Sequence, residues 1–199
     1  MDIFIGGGGD DLARLGFGVI RAYAERYAAE TARPVAYLPN ARTGRARRLI
    51  EIASKAGETI NVIGHSWGAI DAYAAALAAL KRGGDIATLV TLDPVSGPLR
   101  RPPPWPGGPF WLNVTLAPTA PDRSDRLTNR PPWARKPSRL PLHAADAHVV
   151  LDLNHWDVGR MMRLSGARAR LDAAWRQAES QRPAAGAAAP ENRREGGSA

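Results

Sequence analysis

Gly64-His65-Ser66-Trp67-Gly68 places a hydroxyl between two glycines, with an apolar run at residues 59–63 before it and small residues from Ala69 after it. A strand that turns sharply into a helix at such a serine lifts its Oγ above the edge of a sheet. The turn is so tight that a side chain at either glycine would collide with the neighbouring strand or helix. Ser66 is thereby suited to nucleophilic attack, and the N–H of Trp67, at the helix start, points towards a developing oxyanion. A second amide donor is expected from the turn after an earlier strand. Gly6-Gly7-Gly8-Gly9 occupies that place, with Gly8 the favoured donor and a plain tight turn the alternative.

A serine hydroxyl is a poor nucleophile near neutral pH and needs a base within hydrogen-bond reach, usually an imidazole. The chain offers four histidines. His65 adjoins Ser66, so its side chain is expected to point away and to pack or hydrogen-bond nearby. His143 falls in a Pro-rich loop, and His148 falls at the start of the last expected strand, the wrong edge of a parallel sheet. His155 lies just past the end of that strand, at the same carboxyl edge as Ser66, and is assigned as general base and acid; a solvent-exposed loop histidine is the bland alternative. The third member is a carboxylate that fixes the imidazole tautomer. Asp93, ending its strand in Leu92-Asp93-Pro94-Val95, is favoured and gives the chain order Ser, Asp, His. Asp122 and Asp125, shortly after the next strand, compete for the role, and Asp93 could serve only as a loop cap.

These side chains need a scaffold, and the hydrophobic pattern supplies one. Short β-prone runs at residues 3–5, 34–38, 59–63, 86–92, 111–116 and 147–153 alternate with helical spacing. Leu12, Leu15, Val19, Tyr23 and Tyr27 mark one helix. Others are expected at 45–56, 69–81 and 158–180, the last as one closing helix carrying Met161, Leu164, Leu171 and Trp175. Successive βα units predict an α/β fold: a mostly parallel, doubly wound sheet flanked by helices. The catalytic domain is expected over residues 1–180. Residues 181–199, with almost nothing to bury, are expected to form a disordered tail. Residues 96–110 and 119–142 read as long loops, the first a possible lid; Trp105, Phe110, Trp111, Trp133 and Trp156 around them could line an apolar acyl pocket or simply anchor the loops.

Composition narrows the classes further. With no cysteine in 199 residues, disulfides, thiolate metal sites and cysteine nucleophiles are excluded. No HExxH-type spacing suggests a metal, so neither a metal nor an organic cofactor is expected. The net charge of +8 comes almost wholly from scattered arginines without an aromatic-interleaved stripe, which argues against nucleic acid as a partner but permits transient contact with an anionic membrane surface. No run approaches the roughly 20 apolar residues of a membrane span. The start lacks a basic region followed by a long apolar one, so a cytoplasmic location, or export by a signal-independent route, is expected. Oligomeric state is not written in the residues.

Taken together, the Gly-rich turn, Gly64-His65-Ser66-Trp67-Gly68 and Leu92-Asp93-Pro94-Val95 resemble the α/β-hydrolase superfamily, and within it small bacterial lipase- or esterase-like serine hydrolases, over residues 2–178. An acid directly after the strand that follows the nucleophile helix is similar to the pancreatic-lipase arrangement, where a Leu-Asp-Pro run has that role; the resemblance therefore ranks Asp93 ahead of Asp122. It implies the α/β-hydrolase fold in a minimal form: the chain starts at what would be the family's third strand, and no helical cap domain follows the acid strand. It further implies a small-molecule or lipid acyl-ester substrate cleaved through a Ser66-His155-Asp93 triad and an acyl-enzyme. An acyltransferase or thioesterase on the same triad, or a noncatalytic hydrolase-fold binding protein, are the alternatives.

Overall fold

The structure is a computed structural model that describes residues 1–8, 10, 18–39, 43–95, 103–129 and 140–181. Six strands form one sheet: β1 (Asp2–Ile5), β2 (Val35–Leu38), β3 (Asn61–His65), β4 (Thr88–Leu92), β5 (Phe110–Leu116) and β6 (Ala147–Leu151). Their order is β2-β1-β3-β4-β5-β6, and every pair is parallel. Every residue of β1, β3 and β4 is buried, as parallel strands covered on both faces require. The winding reverses between β1 and β3. In a doubly wound sheet the crevice at the carboxyl ends of two such strands is where a ligand is received.

Helices cover both faces. α2 (Thr43–Lys55) and α3 (Trp67–Leu80) lie on one, packing Ile50, Ile70 and Tyr73 against Ile3, Ile5, Val62, Leu89 and Trp111. On the other, α1 (Val19–Thr31), α5 (Val158–Leu164) and α6 (Ala167–Gln181) bring Ile20, Tyr27, Met161, Met162 and Leu171 against Phe4, Ile63, Val90, Leu112 and Val114. The strand residues in these two sets alternate in sequence, as the two-residue period of a strand dictates. Ala69, Ala72, Ala75, Ala76 and Ala79 are buried in α3, and such small side chains let the helix approach the sheet closely.

The doubly wound parallel architecture is the expected one, with several boundaries moved. The third strand runs through Gly64 to His65, two residues beyond the expected 63, because pairing with β4 continues to His65 opposite Leu92. The fourth begins at Thr88 and the sixth ends at Leu151, both shorter than their apolar runs. The expected closing helix is two helices: Gly166, at φ 78°, breaks it, and Ser165 Oγ accepts the N–H of Ala167 at 3.2 Å. Within the stretch expected to be irregular lies α4 (Arg123–Asn129), and a 3₁₀ turn at Leu142–Ala144 begins at its end. Leu12, Leu15, Trp133 and residues 182–199 of the expected tail lie outside the described residues.

At the amino edge of the sheet a buried polar knot ties both ends of the described chain together. Asp2, with no exposed surface, accepts from Tyr27 Oη (2.7 Å), Asn61 Nδ2 (2.7 Å) and Trp175 Nε1 (3.0 Å). Arg33 donates to Tyr27 Oη (3.0 Å) and pairs with Asp172 (2.6 Å), so α1 and α6 meet over β1.

Candidate active site

Ser66 joins β3 to α3 with φ 58° and ψ −125°. Among the described residues only Ala32, Ser66 and Asp93 combine a side chain with positive φ. Such backbones cost of order 1–3 kcal/mol each and persist only where the surroundings over-determine them. At Ser66 they do: its N–H donates to Leu92 O (3.0 Å), and its carbonyl accepts from Val95 (3.2 Å) and Ala69 (3.1 Å). The flanking glycines are sterically required. A Cβ on Gly64 would lie 2.3 Å from Gly68 O, and one on Gly68 would lie 2.2 Å from Gly6 O.

Across the switch point, the Gly turn after β1 presses against this serine. A Cβ on Gly7 would meet Ser66 Cβ at 2.8 Å and Ser66 Oγ at 3.3 Å. Gly8 lies under the Trp67 ring, where a Cβ would be 2.7 Å from Cε3, and that indole is 38% exposed at the rim beside the buried serine. The turn is held by Gly6 N–H donating to Leu38 O (2.8 Å) and by buried Asp10, which accepts from Tyr37 Oη (2.7 Å). Sequence reasoning missed Gly7 and Asp10, because four successive glycines carry no mark of which one faces the serine.

Asp93 follows β4 at φ 39°, its N–H donating to Val114 O (2.7 Å). Its Oδ2 lies 2.5 Å from His155 Nδ1, and both side chains are 3% exposed. A carboxylate can only accept, so Nδ1 carries the proton and Nε2 keeps a lone pair able to take another. His155 stands in the turn between β6 and α5, on the same carboxyl rim as Ser66. Its ring lies 4.6 Å, centroid to centroid, from that of His65, the residue before Ser66.

The competing carboxylates sort themselves out by contact. Asp125 reaches the backbone of His155, its Oδ1 accepting the N–H at 3.3 Å. Asp122 caps α4 instead: its Oδ1 accepts from Ser124 N (2.7 Å), Ser124 Oγ (2.5 Å) and Asp125 N (3.4 Å), while Asp125 Oδ2 accepts Asp122 N–H at 3.2 Å. The Ser124 hydroxyl, with these amides, holds the Asp122 carboxyl below the usual carboxylate range. This is a reciprocal capping box, and neither it nor its link to His155 was read from the sequence. With the Asn154 amide oriented to satisfy its neighbours, Nδ2 also donates to Asp125 Oδ2 at 2.6 Å.

The remaining candidates fall away from the rim. His143 and His148 are exposed, the latter 2.9 Å from Thr115 Oγ1 near the start of β6. Trp105 and Trp111 pack with tilted rings against Tyr73 inside the core, Trp111 from β5 and Trp105 from the segment before it, and Tyr73 Oη donates to Pro103 O at 2.7 Å. Phe110 lies under Arg170 at the amino edge, where both line a cavity of about 540 Å³. Among the described residues no three His, Asp or Glu side chains are grouped to hold a metal ion, and no helix is long and apolar enough to cross a membrane.

The fold is thus of the α/β-hydrolase type, a six-stranded parallel sheet with helices on both faces and a strand–serine–helix elbow at its switch point. No family model matches the chain, and no curated protein matches it either. Solved structures do resemble it. A candidate hydrolase of the α/β superfamily from Xanthomonas campestris pv. campestris is 18% identical, with a TM-score of 0.48 over 86% of this chain and 97% of its own. RedJ, solved with a polyethylene glycol molecule in its active site, is 12% identical, with a TM-score of 0.41 over 89% and 91% of the two chains. At these identities and TM-scores the likenesses carry no argument, and the fold and the chemistry rest on this chain's own residues.

Proposed function

We propose that the protein is a serine hydrolase that cleaves acyl esters, with Ser66 as nucleophile, His155 as general base and acid, and Asp93 as the carboxylate that orients the imidazole. The observation that carries this reading is the 2.5 Å contact between Asp93 Oδ2 and His155 Nδ1, buried on the rim that also presents the strained Ser66. Ser66 Oγ attacks the ester carbonyl while His155 Nε2 takes its proton. The oxyanion is met by the Trp67 amide at the start of α3 and by an amide of the Gly turn, Gly8 in the sequence reading. Collapse expels the alcohol, which receives the proton from His155 and leaves an acyl-Ser66. Water, deprotonated by His155, then releases the acid. These steps use only side chains and amides of this chain. The exposed Trp67 indole supports an apolar acyl or alcohol group.

A panel of p-nitrophenyl esters of increasing chain length, together with a phospholipid and a thioester, tests the reading. Turnover by wild type and its loss in Ser66→Ala is the expected result. Preferential transfer to an added alcohol or amine would make the protein an acyltransferase on the same residues, and no turnover of any acyl substrate would favour a binding protein.

A further inference from the structure

His155 is held by more than its ring. The His65 imidazole, 3% exposed at the end of β3, places Nε2 2.8 Å from the His155 carbonyl oxygen. A carbonyl only accepts, so this His65 nitrogen carries a proton and donates it. From the other side Asp125, 1% exposed in α4, accepts the His155 N–H on Oδ1 at 3.3 Å. Asp93 takes the ring itself.

We propose that His65 and Asp125 are positioning residues that clamp both backbone polar groups of His155 and so set where its ring stands relative to Ser66. Asp93 alone cannot do this. One hydrogen bond to Nδ1 fixes a tautomer and a direction, but the turn carrying His155 could still shift as a body. His65 removes that freedom with respect to the nucleophile, because it is the residue bonded to Ser66 and the β3 pairing that aligns His65 with Leu92 fixes both. Ring contact at 4.6 Å between His65 and His155 adds a steric stop. Asp125 ties the same turn to α4, whose first turn is locked by the reciprocal bonds to Asp122. Three neighbouring segments, the β3 elbow, the β4 end and α4, thus converge on one residue.

The inference rests on the proposed hydrolase chemistry for its kinetic readout only. The test compares His65→Gln, whose Nε2 can donate from nearly the same place, with His65→Met, of the same length but without a donor. Asp125→Ala, which removes the acceptor of the His155 N–H, is the second variant. A misplacement of the base of the order of 1 Å costs about a hundredfold, so His65→Met is expected to lower kcat roughly ten- to a hundredfold with KM nearly unchanged, and His65→Gln to recover most of the loss. Asp125→Ala is expected to lower kcat in the same way. An activity-independent readout is the downfield proton resonance of His155 Nδ1, expected in wild type and His65→Gln and broadened or lost in folded His65→Met. If the resonance responds this way while wild type turns over no ester, the clamp stands and the hydrolase reading fails. Should His65→Met not fold, Asp125→Ala carries the test by both readouts. Folded variants that keep wild-type kcat and the resonance, or equal losses in His65→Gln and His65→Met, overturn the clamp.

Discussion

Ser66 and Asp93 both have a positive φ, which few side chains adopt, and each directly follows its strand at the same rim. Holding them there costs stability that the surrounding hydrogen bonds recover, and such strain is what the proposed site would require. Asp93→Asn is expected to leave the fold intact and lower kcat by about 10³–10⁴-fold, since an amide can turn its N–H towards His155 and favour the wrong tautomer. An ester assay beside a melting curve checks this. Gly7→Ala makes a sharper demand. Its Cβ would meet Ser66 Cβ at 2.8 Å, so kcat is expected to collapse although the substitution lies in another loop, and an unaltered rate would refute the close approach of the Gly turn.

Among the elements, α4 and the α5–α6 break show what pattern reading hides. The closing helix was legible in Met161, Leu164, Leu171 and Trp175, yet that spacing runs straight across Ser165-Gly166, where the chain stops and restarts. Gly166 was itself a stop signal of the kind that follows a helix, outweighed by the periodicity on either side. At φ 78°, with nothing within 4 Å of the point a methyl would occupy, Gly166→Ala is expected to cost about 1–2 kcal/mol through backbone strain alone, measurable by urea unfolding. α4 escaped because six polar residues and a lone Leu127 show no apolar stripe. Asp122→Ala is expected to lower stability by about 1 kcal/mol at neutral pH. As the folded carboxyl titrates below its ordinary value of 3.8, that contribution is present above this value and is lost as pH falls through the lower one, so the variant and wild type are expected to converge in strong acid.

At the scale of the whole molecule, the sheet brings together residues far apart in sequence, and this is where the sequence was most informative. Alternation of strands and helices predicts the parallel sheet, and a parallel sheet puts every strand's carboxyl end on one rim; from that alone Ser66, Asp93 and His155 had to share an edge. The contacts of His65 and Asp125 with the His155 backbone were not legible, because they depend on the path of two loops and not on any local pattern. Stability of this assembly has its own pH signature. Burial pushes the Tyr73 hydroxyl from 10.0 up to about 12, where it holds the 103–109 segment through Pro103. Between those values the unfolded chain has lost a proton that the folded one keeps, so stability is expected to fall as pH rises, less steeply in Tyr73→Phe. Activation of Ser66 is tested by fluorophosphonate labelling followed by mass mapping of the modified peptide. A single adduct on Ser66, absent from Ser66→Ala and strongly slowed in His155→Ala, is the predicted result; an unlabelled wild type, or an adduct on any other residue, would contradict it.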